Sequence, residues 1–102
     1  MHGQVRQMER FVRWLEGHRD LRERAKVLAR IERLIGGNPG DAKPVGAGVS
    51  ELRINFGPGY RVYYLQKGTT LIILLAGGDK RSQSKDIQTA LQLADTLSEE
   101  SQ

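Results

Sequence analysis

Arg53, Asn55, Arg61, Tyr63, Lys80 and Arg81 are the residues whose types and spacing point to chemistry. Arg53 and Asn55 alternate with Leu52, Ile54 and Phe56 in ELRINF, and Arg61 and Tyr63 flank Val62 in YRVYYL. Side chains of a strand alternate between its two faces. With Leu52, Ile54, Phe56 and Val62 turned to a core, Arg53, Asn55, Arg61, Tyr63 and Leu65 share the other face, expected to be exposed. Lys80 and Arg81 leave the adjacent apolar run nearby. Guanidinium groups give paired donors to phosphate oxygens, and a tyrosine stacks on a base or donates a hydrogen bond. Such a set suits a phosphodiester. The same residues also suit cross-strand packing on a solvated sheet face.

Other chemistries find less support. His2 and His18 are the only histidines, and neither lies near a credible nucleophile. Asp41, Glu51 and Asp79 are not spaced as a two-metal site. The absence of cysteine excludes disulfides and thiolate metal sites. Gly46-x-Gly48 has no strand before it and no helix after it, and Glu51 stands where a dinucleotide fingerprint needs its third glycine. No metal and no cofactor are expected.

The elements that must position these residues follow from periodicity. Residues 4–8, QVRQM, read as a short edge strand, and Phe11, Val12, Trp14 and Leu15 mark a helix from Glu9 to Glu16 that Gly17 ends. Asp20 to Ile35 is an amphipathic helix. Its apolar half holds Leu21, Ala25, Val27, Leu28, Ile31, Leu34 and Ile35; Arg19, Arg22, Lys26, Arg30 and Arg33 form a basic stripe opposite. That stripe suits phosphate contact or an acidic partner as well as plain solvation. Residues 36–50 hold five glycines and two prolines and read as a long loop. Three strands follow: Glu51 to Phe56, Tyr60 to Leu65 after the turn Gly57-Pro58-Gly59, and Leu71 to Ala76. The last has no polar face and should be covered on both sides. Ser84 is the expected N-cap of a final helix, with Asp86 in its first turn and Ile87, Ala90, Leu91, Ala94 and Leu97 as its apolar stripe. The tail SEESQ is expected to fray. The order is β-α-α-β-β-β-α, an α+β domain with a small, mostly antiparallel sheet, two N-terminal helices and one C-terminal helix.

At 102 residues the chain is expected to be one domain, 1–102. Residues 1–81 hold 15 Lys/Arg against 8 Asp/Glu, and residues 82–102 hold 1 against 4. The basic body favours an anionic partner. The start MHGQVRQMERF has no apolar core of a secretory signal, and Leu71–Ala76 is too short to span a bilayer, so a cytoplasmic protein without a membrane partner is expected.

The stretches GVSELRI (48–54), GPGYRVYY (57–64) and GGDKRSQSKDI (77–87), within a match from about Phe11 to Ala94, resemble the RelE/ParE toxin superfamily. The likeness is nearest to its HigB-like branch of phage-derived, addiction-module killer proteins. The resemblance implies the toxin of a type II toxin–antitoxin module, partnered by a helix-turn-helix antitoxin. It further implies a metal-independent, ribosome-dependent endoribonuclease acting on mRNA by attack of a ribose 2′-OH on the adjacent phosphate. On that reading Arg61 matches the phosphate-stabilising arginine, Arg53 and Asn55 lie where RelE proper carries lysines, and Lys80 or Arg81 matches the basic residue after the last strand. The catalytic set is then Arg61, Lys80, Arg81 and Tyr63, with Arg53 and Asn55 binding substrate. Arg22, Lys26, Arg30 and Arg33 form the antitoxin or nucleic-acid surface. RelE proper has a catalytic tyrosine near the place of Ile87, and several relatives have a late histidine; this chain has neither. The base or acid is left to Tyr63, Lys80, Asp79 or a ribosomal group, with Asp79 more simply a structural partner of Lys80. ParE-like inhibition of DNA gyrase, or non-catalytic nucleic-acid binding beside the antitoxin, stays open.

Overall fold

The structure, a computed structural model, describes residues 4–100. His2, Ser101 and Gln102 lie outside them. Strand β1 (Gln4–Gln7) leads into α1 (Glu9–Glu16) and α2 (Leu21–Ile35). Strands β2 (Ala42–Gly46), β3 (Val49–Ile54), β4 (Tyr60–Lys67) and β5 (Leu71–Gly78) follow. A 3-10 turn, Lys80–Ser82, opens α3 (Gln83–Glu100). The sheet order is β1-β5-β4-β3-β2; β1 runs parallel to β5 and the other pairs are antiparallel. This is the α+β architecture expected, with one strand more.

The extra strand corrects the reading of 36–50 as a loop. Ala42–Gly46 pairs with β3 as an edge strand, Ala42 opposite Leu52 and Pro44 opposite Ser50. Proline is tolerated there because one side of an edge strand needs no ladder donor. No periodicity betrayed it, since only Ala42 and Val45 of AKPVG are even half-buried. Gly36 still ends α2, and Asp20 caps its start by accepting from the Arg22 N–H at 2.8 Å.

The sheet has two covered faces. Leu52, Ile54, Tyr60, Val62, Tyr64, Ile72 and Leu74 pack against Phe11 and Leu15 of α1 and Val27, Ile31 and Leu34 of α2. Val49, Tyr63, Leu65, Ile73, Leu75 and Ala76 pack against Ala90, Ala94 and Leu97 of α3. Strand β5 therefore lies between two apolar layers, which is why its sequence lacks a polar face. A register shift opposite Tyr63 and Tyr64 sets both Leu75 and Ala76 toward α3.

Alternation along β3 and β4 is as read: Leu52, Ile54 and Val62 on one face, Tyr63 and Leu65 on the other. The exposure expected of that second face is not. Helix α3 covers it, and Tyr63 has no accessible surface. The start of α3 also differs. Asp79, not Ser84, is the cap: its carboxylate accepts from the N–H groups of Arg81 and Ser82. Asp86 is held by the Ser82 hydroxyl at 2.5 Å. Gly78 makes this approach possible, because a Cβ there would run into the Asp86 carboxylate.

Candidate functional site: a carboxylate-anchored arginine pair

The site begins with a register. Arg53 on β3 and Arg61 on β4 are directly opposite each other, so their side chains leave the same face as neighbours. Two guanidinium groups set together repel. Glu51, two residues before Arg53 and on the same face, supplies the opposing charge from beneath. Its side chain is 1 % exposed. Its Oε1 accepts from Arg53 Nε at 3.0 Å. Its Oε2 accepts from Tyr63 Oη at 3.0 Å and from Gln83 Nε2 at 2.9 Å, with Arg61 Nε at 3.8 Å. Three elements, β3, β4 and the first turn of α3, are thus tied to one buried carboxylate.

The electrostatics follow from that set. Burial by itself pushes the Glu51 carboxyl up, but the hydrogen bonds from Gln83, Arg53 and Tyr63 and the Arg61 charge outweigh it and hold the group below its ordinary value. The Tyr63 hydroxyl moves the other way. Burial and its bond to the Glu51 carboxylate raise it above the usual phenol range. Tyr63 is therefore a neutral donor locked under the site.

Arg61 is the more constrained cation. Its side chain is 12 % exposed, its Nη1 donates to the Gly59 carbonyl at 3.2 Å, and its Nε is buried without a hydrogen bond. Among the described residues Nη2 donates to nothing. Gly59 holds a positive φ of 80°, which favours glycine, and lies in the space between Arg61 Nη1 and Lys80 Cβ. That space is a cleft of about 320 Å³ lined by Asp41, Arg53, Asn55, Gly59, Arg61 and Lys80. Ile54 completes the lining; five of the seven lining residues carry a polar or charged side chain, three of them cationic.

The structure thus brings together Arg53, Asn55, Arg61 and Lys80 of the residues singled out by sequence. Tyr63 lies below them. Arg81 stands outside the cleft lining with an exposed side chain, and its Nη2 is 3.6 Å from Asp79 Oδ2. The partner of Asp79 is therefore Arg81 and its own capping contacts, not Lys80. On α2, Lys26 and Arg33 are exposed, and Arg22 pairs loosely with Asp20 at 3.8 Å. Arg30 serves the fold instead, because its Nη2 reaches the carbonyls of Pro39, Asp41 and Arg53 and ties the segment before β2 to β3. His18 is remote from the cleft, edge-on to Trp14 and Tyr60 in the layer of α1 and α2. Burial, with Glu23 as acceptor, pushes the Tyr60 hydroxyl up to about 12.

Sequence reasoning missed three members. Glu51 shares the face of Arg53 by strand parity, yet nothing in ELRINF marks it as buried. Gln83 carried no signal, since only the packing of α3 brings it to Glu51. Asp41, the one carboxylate lining the cleft, sat in a segment read as loop. Among the described residues no cluster of three or more His, Asp or Glu side chains forms a metal site, and no helix is long and apolar enough to cross a membrane.

One family model covers most of the chain. The model of the family "Phage derived protein Gp49-like (DUF891)" matches residues 14–99, which span the arginine pair, Glu51 and Gln83. An uncharacterized protein of Haemophilus influenzae (strain ATCC 51907 / DSM 11121 / KW20 / Rd) is 49% identical over 94 residues, covering 92% of this chain and 95% of its own. No solved structure matches.

Proposed function

The chain belongs to the phage-derived Gp49-like protein family, and on that premise we propose that it is the toxin of a type II toxin–antitoxin pair, acting as a metal-independent, ribosome-dependent mRNA endoribonuclease. The observation that carries this reading is the Arg53–Arg61 pair, fixed from below by a buried carboxylate and facing Lys80 across a polar cleft.

The chemistry asked of such a site is attack of a ribose 2′-OH on the neighbouring phosphorus, with departure of the 5′-oxygen. Charge builds on the nonbridging oxygens of the phosphorane. Donors fixed before the reaction stabilise it without reorganising. Arg61 fits that role because Glu51 and Gly59 hold its near end and leave Nη2 for substrate. Arg53 and Asn55 bind and orient the phosphate at the open rim. Lys80, on the other wall, neutralises the same phosphate or the departing oxygen. Arg81 adds charge outside the cleft, and Tyr63 acts through Glu51 as a positioning residue. The 2′-OH proton goes to Asp41 or to a ribosomal group, and Asp41→Asn distinguishes the two. The partner antitoxin and the ribosome belong to this same reading.

The test is expression in a bacterial host with mapping of new mRNA 5′ ends. The expected result is ribosome-dependent cleavage within reading frames, lost in Arg61→Ala. DNA breaks with intact mRNA would replace this reading with gyrase inhibition. Undiminished toxicity of Arg61→Ala would remove the arginine pair from the mechanism.

A further inference from the structure

Three depressions join along one side of the molecule. The cleft at Arg61 and Lys80 shares Asp41, Arg53, Ile54 and Asn55 with a second, of about 350 Å³, that extends to Lys26 and Arg33 on α2. The second shares Lys26 and Phe56 with a third, of about 550 Å³, lined also by Ala25 and Ala29. The result is a trough leading from the arginine pair toward the first turns of α2. Arg30 fixes its wall through three backbone carbonyls. Lys26 and Arg33 are exposed and, among the described residues, make no ion pair. Phe56 is half-buried in the trough, with Lys26 Nζ 5.7 Å from its ring centroid.

A cationic groove with an aromatic platform is what a single strand of nucleic acid requires: phosphates follow the positive charge and an unstacked base lies on the ring. A duplex cannot use the platform, because its base faces are already stacked on one another. We infer that this trough binds the single-stranded RNA flanking the phosphate held by Arg61, with Lys26 and Arg33 on backbone phosphates and Phe56 beneath a base. The inference takes its ligand from the ribonuclease reading, but its residues are separate from the arginine pair. It also assigns the basic stripe of α2 to nucleic acid and leaves Arg30 a structural role.

The probe is a fluorescein-labelled 2′-O-methyl RNA of about eight nucleotides, within the usual range of single-strand sites. It lacks the 2′-OH nucleophile and cannot be cut. Fluorescence anisotropy with the full chain is expected to show binding that weakens with salt. Lys26→Ala with Arg33→Ala should weaken it about tenfold or more and lower the log–log salt slope by about 1.4, the value for two lost phosphates on a single strand. Phe56→Leu keeps an apolar side chain and should cost on the order of tenfold through lost stacking; an unchanged melting temperature shows that the fold is intact. Wild-type affinity in the Lys26/Arg33 double variant overturns the inference. So does equal affinity for a 2′-O-methyl duplex, or tighter binding of a poly-glutamate peptide of the same charge, which would make the trough a protein-docking surface. The two readings separate cleanly. Strand binding that depends on Lys26 and Arg33 without any mRNA cleavage in cells removes the nuclease and keeps the trough. Arg61-dependent cleavage with binding unaffected by the double variant does the reverse.

Discussion

Glu51 and Leu52 are adjacent in the chain, equally buried at 1 % and 0 % exposure, and face opposite sides of the same strand. Leu52 enters a layer made of aliphatic and aromatic side chains under α1 and α2. Glu51 enters a layer that is apolar at the Val49–Leu65 end and ionic at the Arg53–Arg61 end. The first layer contributes mainly transfer free energy. The second gives part of its area to a charge that must be fully partnered to be tolerated. One strand thus carries stability and site geometry at once, separated only by parity. It also ties both guanidinium groups to a carboxylate that lies in the core.

Removing each neighbour in turn separates the two layers. Glu51→Ala leaves Arg61 almost buried beside Arg53 with no counter-charge. The expected loss is about 3–5 kcal/mol for an uncompensated buried charge, at the low end because Arg53 can turn to water. A urea unfolding curve measures it, and toxicity should vanish with it. Leu52→Ala should cost a similar amount, about 2–5 kcal/mol, through a cavity. Cleavage by the remaining folded fraction should stay at the wild-type rate, because the ionic layer is untouched. Equal effects of the two variants on the rate per folded molecule would abolish the distinction between the layers.

Arg61→Ala is expected to invert the pattern, reducing cleavage on the order of 10²–10³-fold, as for loss of one fixed donor to an oxyanion, while the folded state survives. In-vitro translation with primer extension reads that ratio. Tyr63→Phe removes one hydrogen bond to Glu51 and should cost about 1 kcal/mol, with a small fall in cleavage rate.

The mildest probe is pH. The Glu51 carboxyl is depressed in the folded chain, below its ordinary 4.5. Its contribution is therefore complete above the unfolded value and is lost as pH falls through the lower folded value. Stability should decline below about pH 4.5 more steeply in the wild type than in Glu51→Gln, which has no such proton to bind. Parallel curves from urea titrations at stepped pH would show that Glu51 is not the acid-sensitive group.

Much of this molecule was legible in its sequence. Periodicity located both N-terminal helices and the last one, the glycine-bounded strands, and the shared side of Arg53 and Arg61. What escaped was of two kinds. Strand β2 escaped because an edge strand with Pro44 and a small buried area has no apolar pattern to display. The cover over the second face escaped because nothing within β3 or β4 says which helix will lie on it. That cover turned Tyr63 from an expected surface group into a buried donor, and turned Glu51 from an exposed acid into the anchor of the site.

By itself, then, the chain determined parity: which side chains leave a strand together is fixed by backbone geometry of period two, and no packing can alter it. Tertiary structure alone decided depth. The solvation of Glu51, Arg61 and Tyr63 depends on α3 docking through Ala90, Ala94 and Leu97, residues more than 25 positions away from all three, and a charge's behaviour is set by what surrounds it in space rather than by its neighbours along the chain.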